Sequence, residues 1–221
     1  MDNKQEIAIV GIGGVFPGAG TLDEFWDNIV HARDQAREPP PGRWLLALAD
    51  VYAGQGPLPD RVYSRRACFV EDFRLDTTGL AIESEFLAGL DPMFQLLLQA
   101  GNQAWRDGVT SSIDKARAGV IIGNIALPTQ AASALADELL GPVLEQLAPG
   151  QYRTVAPVNK LNRYVAGLPA GILARALGLG AGSYTLDAAC ASSLYAVKYA
   201  MDELQAHRAD VMLAGGLSRP D

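Results

Sequence analysis

One stretch constrains this chain more than any other: Ser183-Tyr184-Thr185-Leu186-Asp187-Ala188-Ala189-Cys190-Ala191-Ser192-Ser193-Leu194. Its first half alternates and ends apolar, as a buried strand does. Leu194, Val197, Met201 and Leu204 then recur at helical spacing. Cys190 falls at the turn between the two, so a strand-turn-helix presents one thiol at the positive end of a helix. A helix N-terminus carries roughly half a positive charge, which favours a thiolate over a thiol whose ordinary pKa is about 8.5. Each unit of lowering corresponds to about 1.4 kcal/mol of preference for the thiolate, the nucleophilic form. Ala188, Ala189 and Ala191 are small, leaving a carbonyl group room to reach the sulfur and the backbone N–H of Cys190, which is what an oxyanion site needs. The same residues also suit a cysteine that merely fills a small buried space.

Composition narrows the classes. The chain has 221 residues, 49% of them hydrophobic and 19% charged, enough for a sizeable core. A net charge of −7 argues against a general nucleic-acid binder, since neutralising phosphates needs a basic excess. No apolar run reaches the ~18 residues of a membrane span, and the polar opening is no signal sequence, so a cytoplasmic protein is expected. Two cysteines, Cys68 and Cys190, imply no disulfide framework. With two widely spaced histidines they form no metal-ligand pattern, and no metal is expected.

Along the chain, Ile7–Val10 is a short apolar run ended by Gly11 and reads as a buried parallel strand. A dinucleotide fingerprint starting at Gly11 keeps Gly13 but fails at Phe16, and no P-loop lysine follows, so no cofactor is expected. Thr21 and Glu24 form a capping box ahead of an amphipathic helix whose buried face would be Leu22, Phe25, Trp26, Ile29 and Val30. His31, at its end, reads as a solvated histidine. Residues 38–59 are rich in proline and glycine and read as an irregular excursion that packs through its aromatics, with Arg43-Trp44 and Tyr52 inside it. Arg61, Arg65 and Arg66 form a basic cluster on an acidic protein. Asp91-Pro92 opens a helix with Met93, Leu97, Ala100 and Ala104 along one face. Residues 119–124 read as a buried strand, 129–147 as a helix, 159–177 as a helix kinked or divided at Pro169, and 210–216 as another buried strand. This alternation predicts an α/β fold: a mainly parallel sheet with helices on both faces.

Asp187-Ala188-Ala189-Cys190-Ala191-Ser192-Ser193-Leu194 resembles the active-site signature of the β-ketoacyl synthases, the condensing enzymes of fatty acid and polyketide assembly. Ile7–Val10 with Gly11, Phe16-Pro17-Gly18 and Phe25-Trp26, the Arg43-Trp44 pair and the Asp91-Pro92 helix start resemble the same family. Met93-Phe94-Gln95 departs from the two glutamines and arginine common in modular synthases and resembles the iterative type, such as polyunsaturated fatty acid synthases. The resemblance implies a thiolase-like fold, with residues 1–221 as the N-terminal half of a ketosynthase domain and the C-terminal half absent. It implies that Cys190 accepts an acyl group from the phosphopantetheine thioester of an acyl carrier protein, then condenses it with a decarboxylating malonyl unit. It also implies that two histidines of the other half assist decarboxylation, so this chain is expected to accept an acyl group without elongating it. A homodimer, with Ser183–Leu186 near the twofold axis, follows from the same resemblance. Arg61, Arg65 and Arg66 would be the place where an acidic carrier protein docks. Two other readings stay open: a cysteine-based α/β-hydrolase, although Ala188 and Ser192 stand where its flanking glycines belong, and a ketosynthase-like partner or fragment without catalysis.

Overall fold

In a computed structural model, which describes residues 6–41, 43, 46–54, 56, 58–71, 73–108, 110–150 and 157–219, the predicted capping box opens helix α1 (Leu22–Val30). Thr21 Oγ1 accepts the Glu24 N–H at 3.3 Å, and Glu24 Oε2 accepts the Thr21 N–H at 3.2 Å. The helix belongs to one of two compact units, Gly14–Arg74; the other combines Met1–Gly13 with Leu75–Pro220.

In the Gly14–Arg74 unit, α1 does not bury the face its sequence pattern suggests. Trp26, Ile29 and Val30 are exposed, and the buried position is Asn28. Two polar contacts and a ring stack set this orientation. Asn28 Nδ2 donates to Gly18 O at 3.0 Å, Gln35 Nε2 donates to Asn28 Oδ1 at 3.1 Å, and Phe16 stacks on Phe25 with ring centres 4.0 Å apart. The unit continues through β1 (Ala36–Arg37), a single helical turn α2 (Leu48–Val51) and β2 (Ala67–Cys68), with β1 and β2 antiparallel. Within the proline-rich excursion, Tyr52 bridges to Val62 and Arg43 lies over Phe69. Trp44 lies outside the described residues.

The second unit holds α3 (Ser84–Leu87), α4 (Pro92–Asp107), β3 (Ala118–Asn124), α5 (Gln130–Leu147), α6 (Pro169–Leu177), β4 (Ser183–Leu186), α7 (Ser192–Gln205) and β5 (Val211–Leu217). The three strands form a parallel sheet in the order β4-β3-β5, with Ile121 level with Tyr184 on one side and Ala214 on the other. β3 is buried along its whole length, which explains a run of apolar residues and glycine without alternation. Successive β3 side chains face opposite sides of the sheet. Val120 and Ile122 join Phe94, Leu98 and Trp105 of α4 and Ile172 and Leu173 of α6, whereas Ile121 meets Ala196 and Ala200 of α7. Helices thus cover both faces, as the alternation predicts. Burying each such large side chain contributes about 1.5–3 kcal/mol.

Asp91 caps α4 as expected, its Oδ1 accepting the Met93 N–H at 2.9 Å with Pro92 next in the first turn. The carboxylate is fully buried and lies 3.7 Å from Arg219 Nη1, while the Asp91 N–H donates to Asn162 Oδ1 at 2.8 Å. Pro169 divides the predicted 159–177 helix: a 3₁₀ turn covers Lys160–Tyr164, and α6 begins at Pro169.

Ile7–Val10 is not a strand. The segment pairs with no strand among the described residues, and Ile9 is 86% exposed. The chain here runs beside the end of α4: Ile12 N–H donates to Asp107 Oδ2 at 2.9 Å, and a Cβ on Gly11 would sit 2.5 Å from Ala104 O. That close approach to helix backbone gives Gly11 a packing role, independent of any phosphate.

Two expected outcomes follow from these contacts. Asp91→Ala in the intact protein removes a buried cap and leaves Arg219 without this carboxylate, so denaturant unfolding should show a loss of about 1–2 kcal/mol; an unchanged midpoint would mean the cap contributes nothing. Arg117, ahead of β3, holds Asp210, ahead of β5, through two hydrogen bonds of 2.7 Å. Arg117's hydrogen bond, more than its charge, lowers the Asp210 pKa. A carboxylate with a lowered folded-state pKa adds stability above its unfolded pKa and loses it as the pH falls. The stability difference between parent and Asp210→Asn should therefore be larger at about pH 7 than at about pH 3.

Candidate active site

Cys190 is exposed, which removes the reading of a buried space-filling cysteine. It sits in a 3₁₀ turn, Ala189–Ala191, between the end of β4 and the start of α7. The residue before it, Ala189, has φ of +50°, a left-handed conformation that costs a non-glycine residue about 1–2 kcal/mol. Hydrogen bonds on both sides of Ala189 offset that cost. Asp187 Oδ1 accepts the Ala189 N–H at 2.9 Å, and Ser192 Oγ donates to Ala189 O at 2.7 Å. Ser192 Oγ also accepts the Ala188 N–H at 2.8 Å. At about 0.5–1.5 kcal/mol net for each hydrogen bond, three of them outweigh the strain. The second Asp187 oxygen accepts the Ala126 N–H at 3.3 Å, tying the turn to the loop that follows β3.

Glycines on two strands let this turn come down onto the sheet. A Cβ on Gly123 of β3 would lie 2.5 Å from Ser192 O, and a Cβ on Gly216 of β5 would lie 2.9 Å from Ser193 Cβ. Only hydrogen at these positions allows the first turn of α7 to rest against the C-terminal ends of β3 and β5, where open parallel sheets place their functional loops. The inward face of α7 is correspondingly small: Ser192, Ala196 and Ala200. The bulky residues that gave α7 its sequence signal point elsewhere; Leu194 is 73% exposed, and Val197 and Met201 are also exposed.

No side chain caps the N-terminus of α7 itself; the nearest carboxylate, Asp187, is engaged by the Ala189 and Ala126 N–H groups of the preceding turn and loop. The hydrogen bonds closing the 3₁₀ turn are donated by Ala191, to Ala188 O at 3.1 Å, and by Ser192, to Ala189 O. They do not use the N–H of Cys190. A thiol beside an N–H that makes no hydrogen bond among the described residues, at a helix N-terminus, is suited to attack a carbonyl carbon and to stabilise the oxyanion that forms.

Neither histidine is linked to the turn by a hydrogen bond among the described residues. His207 follows the far end of α7, where its backbone oxygen accepts from Arg117 Nη2 at 3.0 Å. His31 is paired with Asp27 at 2.8 Å at the end of α1. At the C-terminal end of α7, the Arg208 hydrogen bond lowers the Glu203 pKa; on β4, burial and then the Glu203 charge raise that of Tyr184.

Arg61, Arg65 and Arg66 each have a partner within their own unit. Arg61 Nη1 donates to Ala49 O at 3.2 Å, Arg65 pairs with Glu38 at 3.1 Å and lies over Tyr52, and Arg66 pairs with Asp34 at 2.7 Å. Arg65 and Arg66 thus have carboxylate partners, whereas Arg61 meets a neutral carbonyl.

The sequence stretch around Cys190 did not reveal the roles of Ser192, Gly123 and Gly216. A serine in the first turn after the cysteine, and glycines closing two apolar strands, were the available signals. Gly123→Ala should disrupt the site, with overpacking that costs about 1–3 kcal/mol, whereas Gly215→Ala, where a Cβ meets nothing within 4 Å, should leave unfolding unchanged. Equal effects in a thermal or denaturant melt would contradict the packing described.

The chain matches the family model described as "Beta-ketoacyl synthase, N-terminal domain" over residues 4–220. It is 28% identical to one component of the polyunsaturated fatty acid synthase of Thraustochytrium sp., over 100% of this chain and 10% of that protein. It is also 28% identical to polyketide synthase PksL of Bacillus subtilis, over 97% of this chain and 4% of that one. It therefore spans about a tenth or less of these curated relatives. Among solved structures, a protein titled "PfaC Keto synthase-Chain length factor" superposes with a TM-score of 0.86 at 33% identity, covering 97% of this chain and 24% of that one. The oxazolomycin ketosynthase domain OzmH KS7 of Streptomyces albus shares the fold, with a TM-score of 0.68 at 24% identity over 96% of this chain and 34% of that one. The cysteine-based α/β-hydrolase reading finds no support in these likenesses.

Proposed function

This chain belongs to the β-ketoacyl synthase family, and on that footing we propose that it supplies the nucleophile half of an acyltransferase for decarboxylative condensation. The observation that carries the reading is an exposed Cys190 at the uncapped N-terminus of α7, with its own N–H outside the turn's hydrogen bonds. The Cys190 thiolate attacks the carbonyl carbon of a carrier-protein thioester. The Cys190 N–H holds the resulting oxyanion, which collapses to expel the phosphopantetheine thiolate and leave an acyl-cysteine. In the second step a malonyl thioester loses carbon dioxide, its enolate attacks the acyl-cysteine carbonyl, and the Cys190 thiolate is released with a β-ketoacyl thioester.

The two steps place different demands on this chain. Acyl transfer needs the thiol and a backbone donor, both present. Decarboxylation needs groups that assist loss of carbon dioxide, and His207, at the opposite end of α7 from the turn, is outside the hydrogen-bond reach such a role needs. These 221 residues alone should therefore accept an acyl group without elongating it. Arg61, Arg65 and Arg66 are the proposed dock for the acidic carrier protein: Arg65 and Arg66 pair with Glu38 and Asp34, while Arg61, among the described residues, meets only the Ala49 carbonyl and keeps its charge for a partner. β4 is an outer strand of the sheet among the described residues, consistent with Ser183–Leu186 lying at a twofold interface; light scattering that shows the full-length protein to be a monomer still able to condense would exclude this.

Intact-mass analysis after incubation with an acyl-pantetheine thioester tests the central step. The expected result is one acyl adduct that is absent from Cys190→Ala. An adduct surviving in that variant would discredit the nucleophile, and an elongated product from these residues alone would refute the division of labour.

A further inference from the structure

We propose that Ser192 is the positioning residue that aims Cys190, an inference that rests on the acyl-transfer reading above. Ser192 is 6% exposed, and its hydroxyl is committed in both directions: it accepts the Ala188 N–H at 2.8 Å and donates to Ala189 O at 2.7 Å. A hydroxyl has a single proton to donate. With that proton on Ala189 O, Ser192 is not a proton relay to the cysteine sulfur. It acts on the backbone.

The backbone it acts on is the one that sets the direction of Cys190. The two Ser192 bonds bracket the Ala188–Ala189 segment and help hold Ala189 at φ of +50°. Asp187, the other clamp on Ala189, grips the N–H side through its 2.9 Å bond; on the carbonyl side the Ser192 hydroxyl adds a second bond to the one donated by Ser192's own backbone N–H. The Ala189 carbonyl belongs to the peptide whose N–H is that of Cys190. Fixing the Ala189 carbonyl therefore fixes the orientation of the N–H proposed to meet the oxyanion. Ser192 is itself seated against Gly123 of β3, so the aim of the cysteine is referenced to the most deeply buried strand of the unit.

Removal of this hydroxyl should let Ala189 relax toward negative φ, turning the Cys190 N–H away while leaving the thiol in place. Reactions differ in how much they need that N–H. Acyl transfer from a thioester needs it for the oxyanion; alkylation by iodoacetamide forms no oxyanion and needs only the sulfur. In the intact protein carrying Cys68→Ala, both rates at Cys190 are read by mass spectrometry, with an octanoyl-pantetheine thioester and iodoacetamide as the probes. Ser192→Ala should slow acylation by about ten- to a hundredfold, the scale of a misplaced reacting group, and alkylation by much less. Adding Ala189→Gly, which adopts positive φ without the alanine penalty, should recover part of the lost acylation rate. A general loss of folding would lower both rates together and gain nothing from the glycine. Equal effects on the two reactions, no effect on either, or no recovery in the double variant would overturn the assignment. If the Cys68→Ala parent is itself not acylated at Cys190, the acyl-transfer reading fails and this inference falls with it. If the parent is acylated and Ser192→Ala matches it, only the role of Ser192 fails.

Discussion

The seating of the α7 N-terminus on the ends of β3 and β5 is the constraint on which the site depends. It is possible because Gly123 and Gly216 present hydrogen where a Cβ would collide with Ser192 and Ser193. It brings a backbone turn, otherwise costly to bend through a left-handed alanine, within reach of two polar clamps, Asp187 and Ser192. A loop without those clamps would relax, and the cysteine would lose its fixed direction. Here the strain at Ala189 is held by hydrogen bonds whose other ends are anchored in the fold, including the Ala126 N–H beyond β3.

The same seating explains the unequal faces of α7. A helix so close to a sheet accommodates only small side chains between them, and Ser192, Ala196 and Ala200 fill that layer. Leu194, Val197 and Met201 then have nowhere to go but outward. On the opposite face of β3 the space is larger and is filled by Phe94, Leu98, Trp105 and Leu173 from α4 and α6. One strand thus separates a thick hydrophobic core, which supplies most of the burial, from a thin layer that supplies position. The Arg117–Asp210 pair joins the entries of β3 and β5 at the far end from the turn.

Much of this was legible in the residues because local signals and tertiary demands agreed. Thr21 with Glu24, Asp91 with Pro92 and the break at Pro169 are self-contained signals of the backbone, and each holds. The continuous apolar run of β3 pointed to burial on both faces, and the family likeness of the stretch around Cys190 agrees with the match over residues 4–220. Hydrophobic periodicity was less dependable as a guide to which face is buried. Trp26, Ile29 and Val30 of α1 and Leu194 of α7 form regular stripes yet are exposed, because Asn28 and the small side chains decide the contact. Ile7–Val10 has the composition of a buried strand but pairs with none among the described residues, and it is Gly11 and Ile12 after it that lie against α4. Composition describes what a segment would accept as a neighbour, not whether one is there. Ser192 was hidden for a different reason: its importance comes from two hydrogen bonds that exist only once the turn has formed.

The proposed role of Cys190 as acyl acceptor is the point where fold, strain and chemistry meet, and a structure of the intact protein acylated there tests it most directly. The account predicts a thioester on Cys190 Sγ, its carbonyl oxygen about 2.7–3.1 Å from the Cys190 N–H, and Ala189 still in its left-handed conformation. An acyl group on another residue, or a thioester whose oxygen turns away from that N–H, would contradict it.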